Sequence, residues 1–241
     1  MKRSIFILLI ISVFNRQSIS QDNVLTAGIQ IKPIFTSKFF NTGSQSKDSS
    51  GVRFDLNPKG GYCVGAIVRY GITNRVSAET GINFIKRPYQ ISITNDSLSF
   101  SGTSPFAIIG YEIPLSALVF IQLSEYIFMD ASLGMSFDFF PSSVQSEDEY
   151  FKHLGRRRSW IFPAVTANLG YEYRTVKSGY FYLGASYHRP FRDIFENTFI
   201  YYINDKYFSG QRFLLSGNYL TVDFRYYFHE DPLKKQKKKK K

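Results

Sequence analysis

The sequence predicts an all-β fold: an eight-stranded antiparallel up-and-down transmembrane β-barrel. Three observations carry this expectation. Apolar and polar residues alternate with period two in eight segments. The connections between those segments alternate between short and long, as in barrels with short turns at one end and long loops at the other. The face opposite the apolar one carries glycine and charges of both signs, unlike the polar face of an ordinary half-wetted sheet.

The N-terminus sets the compartment. Lys2 and Arg3 precede an apolar run from Ile5 to Phe14, and a polar stretch ends in Ser18-Ile19-Ser20. This is the order of a secretory signal peptide, and the run is too short to span a bilayer as a helix. Residues 1–20 are therefore read as a cleaved leader, 21–229 as the barrel and 230–241 as a disordered Lys-rich tail. Removing the three charges of the leader and the seven lysines of the tail from the net +11 leaves +1. The body is nearly neutral, so no nucleic-acid partner is expected.

The eight segments follow in order. The first runs from about Leu25 to Phe39, the second over 60–71 and the third over 75–93. The fourth covers 105–121, the fifth 125–140, the sixth 159–174, the seventh 179–191 and the eighth 218–228. In the second, Tyr62, Val64, Ala66, Val68 and Tyr70 alternate with Cys63, Gly65, Ile67 and Arg69. Short links, ITN, QLS and TVKS, follow segments two, four and six. The links over 40–59, 94–104, 141–158 and 192–217 are long. If the apolar face meets lipid, the other lines a lumen just wide enough for side chains to fill. Glycines 28, 65, 81, 110, 134, 170 and 184 then face inward and make room. Tyr70, Tyr111, Phe139, Tyr171, Tyr173 and Phe228 fall where interfacial girdles belong.

The same parity turns charges inward: Lys32, Arg69, Arg75, Arg174 and Arg225 against Glu79, Glu112, Asp130, Asp138, Glu172 and Asp223. Confined charges need partners, so these are read as an ion-pair network that plugs the lumen. A selective pore is the alternative. A lipocalin-like barrel with an apolar interior is disfavoured by the inward charges.

The phrases GYEIPL, DASLGMSFDFF, NLGYEY and LGASYHRPF resemble the outer-membrane β-barrel domains of Bacteroidetes-type bacteria, often labelled PorT-like or "porin family". The resemblance spans about Val24 to Phe228. It implies a small barrel similar to those of OmpA type, in the outer membrane of a Gram-negative bacterium, with both termini periplasmic. Its PorT branch implies a component of a protein secretion system. The Lys tail departs from the pattern in which a final aromatic ends the chain.

Candidate chemistry is sparse. The chain holds three histidines and one cysteine, with no metal-ligand spacing, nucleotide loop or redox motif, so no metal and no cofactor are expected. The best catalytic arrangement is His188 with Ser186 and a carboxylate such as Asp138, as a lipid-modifying barrel enzyme needs. These are read instead as polar lumen residues, and the chain as not an enzyme. Arg156, Arg157 and Arg158 form an anion-binding candidate for lipopolysaccharide phosphates, against a loop folded on its own acidic cluster at 147–149. The aromatic stretch 192–217 either extends the neighbouring strands as a hairpin or meets a partner. The expected role is structural, or the binding of an envelope or secretion-system protein, with outer-membrane lipid and lipopolysaccharide as surroundings.

Overall fold

The computed structural model describes residues 24–175 and 178–229. The expected leader and Lys tail lie outside the described residues. The described residues form fourteen strands: β1 Leu25–Phe35, β2 Gln45–Ser49, β3 Val52–Pro58, β4 Gly61–Gly71, β5 Val76–Asn95, β6 Phe100–Gln122, β7 Ile127–Phe139, β8 Val144–Asp148, β9 Phe151–Arg157, β10 Ile161–Arg174, β11 Tyr180–Pro190, β12 Phe195–Ile203, β13 Lys206–Leu215 and β14 Tyr219–Tyr227. Eight of them, β1, β4, β5, β6, β7, β10, β11 and β14, pair antiparallel in that order, and β14 pairs back onto β1. The ring is closed, and these are the eight segments expected from the alternation. Among the described residues no helix is long and apolar enough to cross a membrane, a limit that does not bear on a barrel, which crosses with strands.

The outer surface of the ring is apolar, with Ile29, Ile82, Leu115, Leu133, Leu169 and Leu183 all exposed. Exposed aromatics edge this band at both ends. Tyr70, Tyr126, Tyr173 and Phe228 lie toward the short turns; Tyr62, Tyr111, Trp160 and Phe191 lie toward the long connections. Tyr62 and Tyr70 share one face of β4. The eight residue steps from one to the other, in a strand tilted by about 40°, rise about 20 Å, close to the apolar band of an outer-membrane barrel.

The long connections correct the sequence reading. They are folded: β2–β3, β8–β9 and β12–β13 are hairpins, and β5 and β6 run 20 and 23 residues. A bilayer crossing takes about 9–11, so half of each lies beyond the band. There β2, β3, β5 and β6 form one sheet, and β13, β12, β9 and β8 form a second. The two enclose a dry core that includes Phe54, Ile91, Phe106, Phe151, Phe199 and Phe213. At one seam the free edges of β2 and β13 are stitched by side-chain to backbone bonds: Gln45 Nε2 donates to Leu214 O (3.1 Å), Lys47 Nζ to Arg212 O (2.5 Å) and Ser209 Oγ to Ser49 O (3.0 Å). Exposed edges are thereby closed to foreign strands. We call this upper module the cap.

Polarity inverts between barrel and cap within single strands. On β5 the inward residues run Ser77, Glu79, Gly81 and Asn83, then Ile85, Arg87, Tyr89, Ile91 and Ile93. The outward ones run Ala78, Thr80, Ile82 and Phe84, then Lys86, Pro88, Gln90, Ser92 and Thr94. The alternation never breaks, but the apolar side changes from outside to inside near Ile85 and Lys86. Lipid around the lower half and water around the upper half would select opposite faces through the hydrophobic effect.

Candidate functional site in the barrel lumen

Antiparallel register brings inward side chains from neighbouring strands to one level, where they meet across the narrow ring. Arg69 on β4 stands opposite Glu79 on β5, and Gly184 on β11 opposite Asp223 on β14. The contacts form an alternating chain of charge. Arg174 Nε donates to Glu172 (2.6 Å). Arg69 Nη1 donates to the other Glu172 oxygen (2.5 Å), and its Nε to Glu79 (3.3 Å). Arg225 Nη1 donates to Glu79 (2.8 Å) and its Nη2 to Asp223 (2.8 Å), while Lys32 Nζ lies 3.9 Å from Asp223. Asp130 lies 4.0 Å from Arg69. Four cations and four anions balance, all at least nine-tenths buried except the intermediate Arg174. Tyr227 donates to Glu79 (2.5 Å), and its ring lies 3.9 Å from the Arg69 guanidinium carbon. Toward the short-turn end Leu118, Phe120 and Phe128 pack together, with Arg174 over Phe128 at 3.9 Å.

The glycine pair Gly170–Gly184 stands directly cross-strand. A methyl added at either position would land on the Tyr182 phenol. The absent side chains let Tyr182 lie flat and donate to Asn168 Oδ1 (2.7 Å).

Arg75 belongs to the turn ahead of β5, and two of the expected network residues sit apart from the chain of charge. Glu112 and Asp138, directly cross-strand on β6 and β7, form a second cluster nearer the cap with His188 of β11. His188 Nε2 is 3.1 Å from Asp138 and 3.0 Å from Ser136 Oγ, and the His188 ring stacks on Tyr219 at 4.3 Å. The Tyr219 hydroxyl donates to Glu112 (2.5 Å). Hydroxyl and carboxylate share one nitrogen of His188. A nucleophile–base–carboxylate relay needs them on opposite nitrogens. Ser186, the partner the sequence suggested for His188, instead hydrogen-bonds Asp223.

The arginine run is likewise not a loop. Arg156 and Arg157 end β9, opposite Glu196 and Phe195 of β12. Arg157 turns to the junction, donates to the carbonyls of Phe140 (2.7 Å) and Pro141, and stacks on Trp160 at 4.1 Å. Arg156 and Arg158 are exposed, with Arg158 3.8 Å from Asp193. Exposed Arg189, near the end of β11, and exposed Arg192, just beyond that strand, flank Phe191; β11 runs beside β10, which Trp160 precedes. This composite rim, drawn from two connections, is wider than the sequence run suggested. In the cap, His153 is buried among aromatics: its Nε2 bonds Asn197 Oδ1 (2.9 Å), and Phe106 and Phe199 pack on its ring. Burial holds its pKa below the usual 6.5, against the smaller opposing pull of the Asn197 hydrogen bond.

No family model and no curated protein sequence matches the chain. Among solved structures, the outer membrane protein OprG of Pseudomonas aeruginosa is similar with TM-score 0.55, over 88% of this chain and 98% of that one, at 10% identity. This chain has the fold of an outer-membrane β-barrel. The outer membrane protease OmpT of Escherichia coli matches at TM-score 0.33 and 9% identity, over 89% of this chain and 99% of that one. The β domain of the Bordetella autotransporter BrkA matches at 0.25 and 9%, over 86% and 98%. At those scores neither carries an argument about mechanism. The expectation that the chain is not an enzyme is withdrawn: a protease stands among the similar structures, and likeness at that score argues neither for nor against catalysis. The Bacteroidetes-type and PorT-like reading rests on the sequence phrases alone.

Proposed function

We propose that this chain is an integral outer-membrane protein whose lumen is plugged and whose cap is a rigid module displayed at the cell surface for a partner. Both termini and the short turns lie in the periplasm. The observation that carries this reading is the inversion of polarity along β5, which supports a lower half built for lipid and an upper half built for water. The neutral ion-pair chain and a lumen cavity of only about 30 Å³, room for one or two waters, support a plug over a pore. The exposed Arg156, Arg158, Arg189 and Arg192 beside Trp160 and Phe191 stand at the outer edge of the apolar band, where lipopolysaccharide phosphates lie, and guanidinium suits phosphate bidentately. The test is purified protein in planar bilayers, which should give no stable porin-sized conductance; reproducible open channels would overturn the plug.

A further inference from the structure

The upper lumen cluster has an electrostatic imbalance that the plug below it lacks. Glu112 and Asp138 face each other directly across β6 and β7, both about 2% exposed. Like charges opposite one another destabilise a sheet, and burial deepens the penalty. Among the described residues neither carboxylate has a lysine or arginine ion-pair partner; His188 Nε2 lies 3.1 Å from Asp138. The donor atoms of Glu112, Asp138 and His188 lie within 4.8 Å of one another. Two further atoms lack partners. His188 Nδ1 is buried and unbonded, and so is Oε1 of Gln30, a residue 5% exposed. Gln30, Glu112 and His188 line the same cavity of about 30 Å³, together with Lys32 and Arg225, both already paired with plug carboxylates; it has room for a bound water.

We infer that Glu112, Asp138 and His188 form a buried divalent-cation site, of Zn²⁺ type, that locks the junction between barrel and cap. One imidazole and two carboxylates are a donor set zinc accepts, with bonds of about 2.0–2.2 Å and hence donors roughly 3.3 Å apart. His188 Nε2 and Asp138 are already at 3.1 Å, and Glu112 needs to close by at most about 1.5 Å. Tyr219, stacked on His188 and bonded to Glu112, serves as the outer partner that orients both ligands. A dication cancels the two carboxylates. It also ties β6, β7 and β11 together just below the apolar core. The inference is independent of any partner for the cap.

The site lies beneath the cap and beside the plug, so the metal must enter as the barrel folds. The full mature chain should be refolded into detergent with Zn²⁺ alone or with EDTA, desalted, and assayed for metal. About one Zn²⁺ per chain should survive, the melting midpoint should exceed that of the EDTA-refolded protein, and Co²⁺ in its place should show visible d–d absorption. Asp138→Asn, nearly isosteric, and His188→Ala should each lose the metal. His229→Ala, exposed at the opposite end, should keep it. Metal absent from the Zn²⁺-refolded parent, or retained equally by both ligand variants, overturns the site. Should His188→Ala fail to refold, Asp138→Asn and the parent decide the matter alone. Equal melting midpoints with and without Zn²⁺ would likewise overturn the site.

Discussion

Glu79 holds two arginines at once, Arg69 through one carboxylate oxygen and Arg225 through the other. Its removal leaves the buried chain one negative charge short, with Arg69 left to Glu172 and the more distant Asp130, and Arg225 to Asp223, so Glu79→Ala should lower stability by about 3–5 kcal/mol in urea titrations of the refolded protein. Glu147→Ala, which breaks the partly exposed pair with Lys152, should change it by less than about 1 kcal/mol. His153 supplies a pH signal in the cap. Its folded pKa is lowered, so it favours the folded state fully above its unfolded value of 6.5. That stability is lost as pH falls from 6.5 toward the lowered folded value, because the unfolded chain then binds the extra proton. Thermal melts of the wild type should therefore fall across that window, and those of His153→Gln should fall less. Which side chains face inward was legible from parity alone. Which of them pair was not, because pairing depends on register and tilt. Glu112 and Asp138 thus separated from the main chain of charge, and Arg75 fell into a turn.

At the scale of the strand, β5 offers a controlled comparison on one face. Ile82 points into lipid and Gln90 into water on the same outward side. Ile82→Arg should lower stability by about 2–4 kcal/mol in refolding titrations, whereas Gln90→Arg should stay within about 0.5 kcal/mol. Equal costs would mean that the bilayer boundary does not fall between them. The eight barrel strands were readable to within a few residues because lipid permits no exception to their alternation. The cap hairpins were less so, because a water-facing sheet tolerates polar inward residues such as Asn197 and His153 that blur the pattern. A usable signal was nonetheless present. Asn204 and Asp205 both adopt positive φ, 49° and 59°, and join β12 to β13 as a two-residue turn. Ser50 and Gly51 do the same between β2 and β3. Such pairs are the local mark of a tight hairpin.

For the whole molecule, the proposed orientation can be read with single cysteines, since the native Cys63 is fully buried. Lys206→Cys, at the cap, should react with an impermeant maleimide on intact cells. Ser124→Cys, in a short turn, should react only after the outer membrane is permeabilised; the reverse pattern inverts the topology. The path from cap to barrel also matters for mechanics. β5 and β6 pass from one module to the other without interruption, paired along almost their whole length. There is no linker to extend and no hinge to swing. A tug on the surface module therefore travels lengthwise down two strands and loads their cross-strand bonds in parallel, as shear, instead of opening them one after another like a zip. A partner that pulls on the cap pulls on the wall of the barrel, and the assembly behaves as a rivet set in the membrane rather than as a flag tethered to it.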